Sequence, residues 1–251
     1  MPVPRTVFIK KKRSSKVIAK KRPHPWRLCP SGKHWVSSHF RSNAPLVRGY
    51  CRTNFSHKDQ IYQDEIKEIA DKWFSKLRRT DLPNTGLKEY KDSDKYDCLI
   101  GGWTRYWNEV LKPDVPLDPN LVKALIATES RFKPKAKVRA GKRAGEARGL
   151  MQVTDWAVQI LEDEKGEVAD HLVNADQKDM IDPNLNIAAG VRWLFQKRDT
   201  ASAKLKKKKV DWVWAAADYK SYLKEYQKNR KHKQMNKLIE HYERLKKGGK
   251  K

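Results

Sequence analysis

Glu129 ends the stretch ALIATESRF (Ala124 to Phe132), in which small and aliphatic residues lead up to a carboxylate. A carboxylate buried without a partner costs several kcal/mol, so this one either returns to solvent or has a task where it sits. Asp118 and Pro119 supply an N-cap and a first helical residue, which predicts a helix that opens there. On that helix Val122, Ile126 and Glu129 fall at i, i+4 and i+7 along one face, with Leu121, Leu125, Thr128 and Phe132 on the adjoining strip. Burial and the negative end of the helix dipole both favour the uncharged acid. A carboxyl that keeps its proton near neutral pH can act as a general acid. A helix that surfaces after Thr128 and leaves Glu129 solvated is the competing reading.

Three more blocks follow in order: ARGLMQVT (Ala147 to Thr154), DPNLNIAAGVRWL (Asp182 to Leu194) and DWVWAAADYKSY (Asp211 to Tyr222). With ATESRFKPKA they resemble the catalytic domain of the soluble lytic transglycosylase family, a relative of goose-type lysozyme. That family reads A-x-x-x-x-E-S-x-F-x-P-x-A, G-A-x-G-L-M-Q, D-P-x-x-N-I-x-x-G-x-x-Y-L and A-L-A-A-Y-N-x-G. Each block is short, but the four in sequence span about Asp114 to Tyr222.

The resemblance implies a compact, predominantly α-helical, lysozyme-like fold around a groove for peptidoglycan glycan strands. It assigns Glu129 as the catalytic acid and base. The same carboxyl would protonate the glycosidic oxygen between N-acetylmuramic acid and N-acetylglucosamine, then take the proton of the muramic 6-hydroxyl as a 1,6-anhydro ring closes. Ordinary glycosidases pair two carboxylates about 5–5.5 or 6.5–9.5 Å apart. Here the substrate's N-acetyl group can stabilise the developing cation, and no second carboxylate occupies a motif of comparable quality. No cofactor and no metal are expected.

By the family pattern Ser130 helps to position the acid, and a plain serine at a helix end is the alternative. Met151 and Gln152 would line the groove, one as a soft apolar wall and the other as an amide for the N-acetyl group. Core packing is the alternative for Met151. Gly149 would allow close backbone approach, Gly190 would allow close helix packing, and Asn186 would be at most a supporting hydrogen bonder. Tyr219 matches the tyrosine that reaches towards the acid.

The sequence departs from the family in three places. The basic insert KVRAGKRAGE, between Ala136 and Ala147, predicts a mobile loop beside the groove. Glu146 stands where a glycine is expected. In the last block Asp218 replaces an alanine, Lys220 replaces the asparagine, and no glycine follows. If Asp155, Asp218 or Glu146 positioned a water, the same cut would be hydrolytic, as in a lysozyme.

The elements that must hold these residues are helical. Ile61, Glu65, Ile69, Trp73 and Leu77 recur every four residues, LPNTG (Leu82 to Gly86) breaks the run, and CLIGGWTRYWNEVL predicts a second helix. Asp182 and Pro183 repeat the opening of Asp118 and Pro119. A further helical run starts at Trp212, and Met235, Leu238, Tyr242 and Leu245 continue at helical spacing. No long strand is expected after residue 60. The segments divide as a basic arm or small β-hairpin module (1–58), a helical connecting region packing on the core (59–112), the catalytic domain (113–225) and a basic C-terminal helix and tail (226–251).

The chain has 251 residues and a formal net charge of +26, so an anionic partner is expected. Its 38% apolar content suffices for one core with polar extensions. No acidic residue precedes Asp59, and the aromatic and basic first 58 residues suit anionic wall polymer or DNA. Within them VSSHFR and VRGYCR share V-x-x-[H/Y]-x-R around SNAPL, which fits a hairpin. Cys29, Cys51 and Cys98 are expected as free thiols; a Cys29–Cys51 bridge fits an oxidising site of action. Cys29, His34, His39 and Cys51 could ligate zinc, though their spacing matches no common finger. There is no membrane span and no apolar core of a secretory signal, and a monomer is expected. Delivery to the wall would then be by lysis, injection or as cargo, since domains of this family occur in phage particles and in secretion or conjugation machinery.

Overall fold

The computed structural model describes residues 21–248 except 41, 43, 44, 57 and 231. The first twenty residues of the expected phosphate-binding arm lie outside the described residues. From residue 21 onward the basic segment is folded. Strands β1 (Lys33–Val36) and β2 (Tyr50–Thr53) pair antiparallel with Val36 opposite Tyr50, and an isolated bridge joins His39 to Val47. This is the hairpin that the V-x-x-[H/Y]-x-R echo predicts.

The thiol expectation is corrected. Cys29, just ahead of β1, is disulfide-bonded to Cys51 in β2, and Cys98 alone is free. The bridge removes both thiols from any zinc site, and His34 is engaged instead with the Asn54 side chain at 2.7 Å. Strand β3 (Gln60–Tyr62) follows, and then α1 (Gln63–Trp73). The hairpin module is locked to α1 by a buried ion pair, Arg27 Nε to Glu65 Oε1 at 2.7 Å. Arg27 also donates to the Gln60 carbonyl at 2.7 Å, and the Leu28 amide donates to Glu65 at 2.8 Å. Both contacts fall on Oε1, while Glu65 Oε2 is buried without a hydrogen-bond partner, and either ion alone would be an uncompensated charge.

Helix α2 (Asp97–Leu111) leads to α3 (Pro119–Glu129). As predicted, the Asp118 carboxylate accepts from the Asn120 amide at 2.8 Å, and Pro119 opens the helix. Leu121 to Ala127 are all buried, Lys123 included, and Lys123 is neutralised by Asp94 at 2.6 Å and Asp97 at 2.7 Å. A helix buried on every side is a central one.

The basic insert is a correction too. It forms an antiparallel sheet of β4 (Lys137–Gly141), β5 (Gly145–Arg148) and β6 (Val153–Thr154) instead of an irregular loop. Helix α4 (Asp155–Glu162) and strand β7 (Leu172–Asn174) come next, and β7 pairs parallel with β3. The second long central helix, α5 (Pro183–Lys204), is capped by Asp182 through the Leu185 amide at 2.8 Å.

The final helical run is broken into α6 (Trp212–Tyr219), α7 (Leu223–Lys228) and α8 (Lys233–Gly248). Helix α6 stops because Ser221 adopts a left-handed φ of 63°. Helix α8 buries Met235, Leu238, His241 and Leu245 and packs along α3. One apolar core includes residues from Trp26 to Leu245, so the hairpin module and α8 are parts of the same packed body.

Without reductant, one of the three cysteines should titrate as a thiol in the unfolded chain, and all three after reduction. Replacing Cys29 and Cys51 by Ser should weaken the N-terminal module by about 3 kcal/mol, read as a shift in urea unfolding.

Candidate active site

Helix α3 delivers Glu129 at its last turn. The chain leaves the helix through Ser130 and then two residues with left-handed backbone, Arg131 at φ 54° and Phe132 at φ 60°. Successive non-glycine residues in this region cost of order 1–3 kcal/mol each. Burial of the Phe132 ring holds the turn in place. Ser130 lies under it, with its hydroxyl donating weakly to the Ile126 carbonyl at 3.4 Å, so its side chain finishes the helix and is not bonded to the acid.

Glu129 meets more than the apolar stripe of its own helix. Lys220, at the C-terminal end of α6, places its Nζ 2.7 Å from Glu129 Oε1 and donates to Thr128 Oγ1 at 3.2 Å. The lysine side chain is 5% exposed and the carboxylate 18%. Tyr219, the preceding residue, donates to the Met151 carbonyl at 2.8 Å. Burial, reinforced by the negative charge of Glu129, pushes its phenol well above the ordinary value, so Tyr219 is a neutral donor.

The turn from Gly149 to Gln152 depends on Asn186, which is fully buried in α5. Its amide donates to the carbonyls of Arg148 at 2.9 Å and Met180 at 2.8 Å, and its oxygen accepts from the Met151 amide at 2.8 Å. Gly149 has a φ of 76°, and a Cβ there would lie 2.3 Å from the Met180 carbonyl oxygen. Met151 is fully buried, and Gly190 is open to it: a Cβ at Gly190 would lie 2.5 Å from the Met151 sulfur. The alternative of core packing therefore describes the Met151 side chain; what it offers the site is its carbonyl. Gln152 also has a left-handed φ, 52°, and its amide nitrogen donates to Gly149 at 2.8 Å and Ala136 at 3.2 Å.

Two recesses result. One, of about 870 Å³, is lined by Thr128, Glu129 and Arg131 and by Lys237, Glu240 and their neighbours on α8. The other, of about 330 Å³, is lined by Gln152, Trp156, Trp193, Lys197 and Tyr219. The ammonium of Lys197 stands over the Trp193 ring at 4.8 Å. Helix α8, expected as a basic C-terminal helix beyond the catalytic domain, is thus a wall of the Glu129 recess.

A family model described as the transglycosylase SLT domain matches residues 111–241. The chain belongs to the SLT transglycosylase family. No curated protein and no solved structure gives a match. The matched span opens at the end of α2 and closes within α8, so it holds the lining of the Glu129 recess apart from Glu89 and Arg244. Family membership carries a lysozyme-like fold and a lytic-transglycosylase-type, peptidoglycan-cleaving function.

The three accessory carboxylates are each tied to a cation elsewhere. Arg148 holds Asp155 through one nitrogen and Glu146 through the other, the latter at 2.5 Å. Asp155 also accepts from the Glu146 amide at 2.9 Å, which fastens the inserted sheet to the start of α4. Asp218 is buried on the α5 side of α6, with Lys204 at 2.6 Å and Lys197 at 3.4 Å. None of the three lines the recess that contains Glu129, whose other carboxylates are Glu89 and Glu240. No sequence block pointed to those two, since they come from a loop and from α8.

Replacing Asn186 by Ala would strand two buried carbonyls and one amide, each worth about 1–3 kcal/mol. The variant should lose at least about 3 kcal/mol in urea unfolding, a larger effect than a merely supporting hydrogen bonder would give.

Proposed function

We propose that the chain cleaves the β-1,4 bond between N-acetylmuramic acid and N-acetylglucosamine and releases 1,6-anhydro ends, with Glu129 as acid and then base. The observation that carries this reading is the placing of Glu129. It ends a helix buried from Asn120 to Ala127, and its side chain lines a recess of about 870 Å³. Protonated Glu129 gives its proton to the glycosidic oxygen as the bond from C1 to that oxygen breaks. The C6 oxygen then bonds to C1, and its proton returns to the carboxylate. No water enters, and the catalyst ends as it began. Tyr219 supports the geometry by fixing the turn at Met151 from the helix that carries Lys220.

The recess wall is rich in cations, with Arg131, Lys233 and Lys237 among its residues. Together with the net charge of +26 this favours encounter with anionic wall material. Binding through the N-terminal basic segment, to wall polymer or to DNA, would add to it.

Glu129→Gln keeps the size of the side chain and removes the transferable proton. Clearing of a cell-wall suspension should fall by roughly 10²–10⁴-fold while the unfolding curve is retained. Mass spectrometry of the parent's products should find anhydro-muropeptides; reducing ends instead would make the enzyme a lysozyme. Raising salt should also slow the parent, because charges are screened over about 8 Å at about 0.15 M ionic strength. Turnover that ignored salt would remove the steering role from the basic surface.

A further inference from the structure

The N-terminal hairpin keeps one register from Lys33 opposite Thr53 to Val36 opposite Tyr50, and the bridge between His39 and Val47 continues it. Side chains alternate along a strand, so the even-numbered residues of both strands share one face and the odd-numbered residues the other. The odd face is packed within the module. Cys51 is bonded to Cys29, and the Trp35 ring lies where a Cβ at Gly49 would come within 2.2 Å of it. The even face is covered at its base, where the Tyr62 ring stacks on His34 at 4.0 Å. Outward from there it opens. Tyr50 is 40% exposed, Leu46 51% and Phe40 81%, with Arg48 and Arg52 exposed between and behind them. Neither arginine is ion-paired among the described residues.

Exposed apolar side chains grouped on one face mark a contact surface, and their order along the hairpin says with what. Phe40 and Leu46 flank the His39–Val47 bridge on the side of the turn and form the apolar end. Arg48 is two residues back from Leu46, about 7 Å at ordinary strand rise. Amphipathic elements in a lipid interface bury their apolar groups about 5–10 Å into the boundary of headgroups and acyl chains. With Phe40 and Leu46 at that depth, Arg48 is level with the lipid phosphates, and Tyr50 and Arg52 follow towards water. No acidic residue precedes Asp59 to repel an anionic leaflet. Single-stranded nucleic acid stacks its bases on aromatic planes, and Leu46 offers none. A second copy of the chain, paired face to face, would set arginine against arginine.

We propose that the Phe40–Leu46 end of this hairpin docks on the surface of an anionic lipid bilayer, with the two apolar side chains entering it and Arg48 and Arg52 meeting its phosphates. The inference goes beyond wall cleavage and does not depend on it. It also gives the buried pair of Arg27 and Glu65 a consequence, since that pair fixes the hairpin module to α1. A domain held in this way meets the membrane in a set orientation instead of swinging on a linker.

The test is sedimentation of the full chain with phosphatidylcholine vesicles, with and without phosphatidylglycerol, at low and at raised salt. The parent should pellet with the anionic vesicles and keep part of that binding in salt, because buried apolar groups are not screened. Phe40→Ser combined with Leu46→Ser should weaken vesicle binding at least about tenfold and leave a remainder that salt abolishes. Arg48→Gln combined with Arg52→Gln should weaken it about 25-fold at low salt, about fivefold for each charge near the leaflet. Phe55→Ser removes an aromatic side chain that is 95% exposed outside the ladder, and should bind as the parent does. All these side chains are on the surface, so the urea unfolding curves should match the parent's. Single-stranded DNA and purified anionic wall polymer are titrated in parallel, and the net charge of +26 should let the Phe40 and Leu46 variant bind both as the parent does. Vesicle binding untouched by the Phe40 and Leu46 substitutions would overturn the proposal. So would an equal loss in Phe55→Ser, or a proportionate loss of DNA or wall-polymer binding. A parent that forms dimers without lipid, and a Phe40 and Leu46 variant that is monomeric, would assign the face to a second copy instead.

Discussion

A carboxylate at the end of a helix buried over most of its length needs a counter-charge, and Lys220 supplies it across the junction of α3 and α6. Helix α3 is enclosed by α2, α6 and α8, so its side chains have nowhere to go but inward. Its two charged groups are treated alike. Lys123 is paired with Asp94 and Asp97, and Glu129 with Lys220. The difference lies in access. Lys123 is sealed among its partners, while Glu129 lies on the wall of a recess of about 870 Å³. A central charged pair is costly to desolvate and costly to break, so it adds little net stability while it holds its two side chains against each other.

The same economy appears where the basic segment joins the rest. The residues before Asp59 include no acid to neutralise their cations, and the fold draws the counter-charge from elsewhere. Glu65 of α1 takes Arg27 into the interior, and the parallel pairing of β3 with β7 ties the segment to the region before α5. The disulfide closes the module from within. The N-terminal module is thereby one piece with the lytic domain from residue 21 onward.

Around the glycine turn, a single buried amide replaces regular structure. Asn186 satisfies three backbone groups that neither a helix nor a sheet supplies, and Gly149 gives it room. That arrangement brings the Met151 carbonyl to Tyr219, and Tyr219 is adjacent to Lys220. The glycine turn, α5 and α6 are therefore linked by hydrogen bonds to the same end of α3.

The sequence by itself determined whatever depends on a few neighbouring residues. The openings of α3 and α5 are written in Asp118–Pro119 and Asp182–Pro183, because a cap acts over two or three residues. The hairpin shows as a local echo, and Glu129 shows as a carboxylate that the apolar pattern does not explain. Tertiary structure decided what those residues meet. Lys220 and Glu129 are 91 positions apart, and their pairing depends on the angle at which α6 crosses α3. Met151 and Gln152 are adjacent, yet one enters the core and the other faces a recess, because the left-handed backbone at Gln152 turns the chain between them. The bond between Cys29 and Cys51 and the return of α8 to wall the cleft are likewise long-range. Spacing reports which face of an element a residue occupies; only packing sets what stands opposite it.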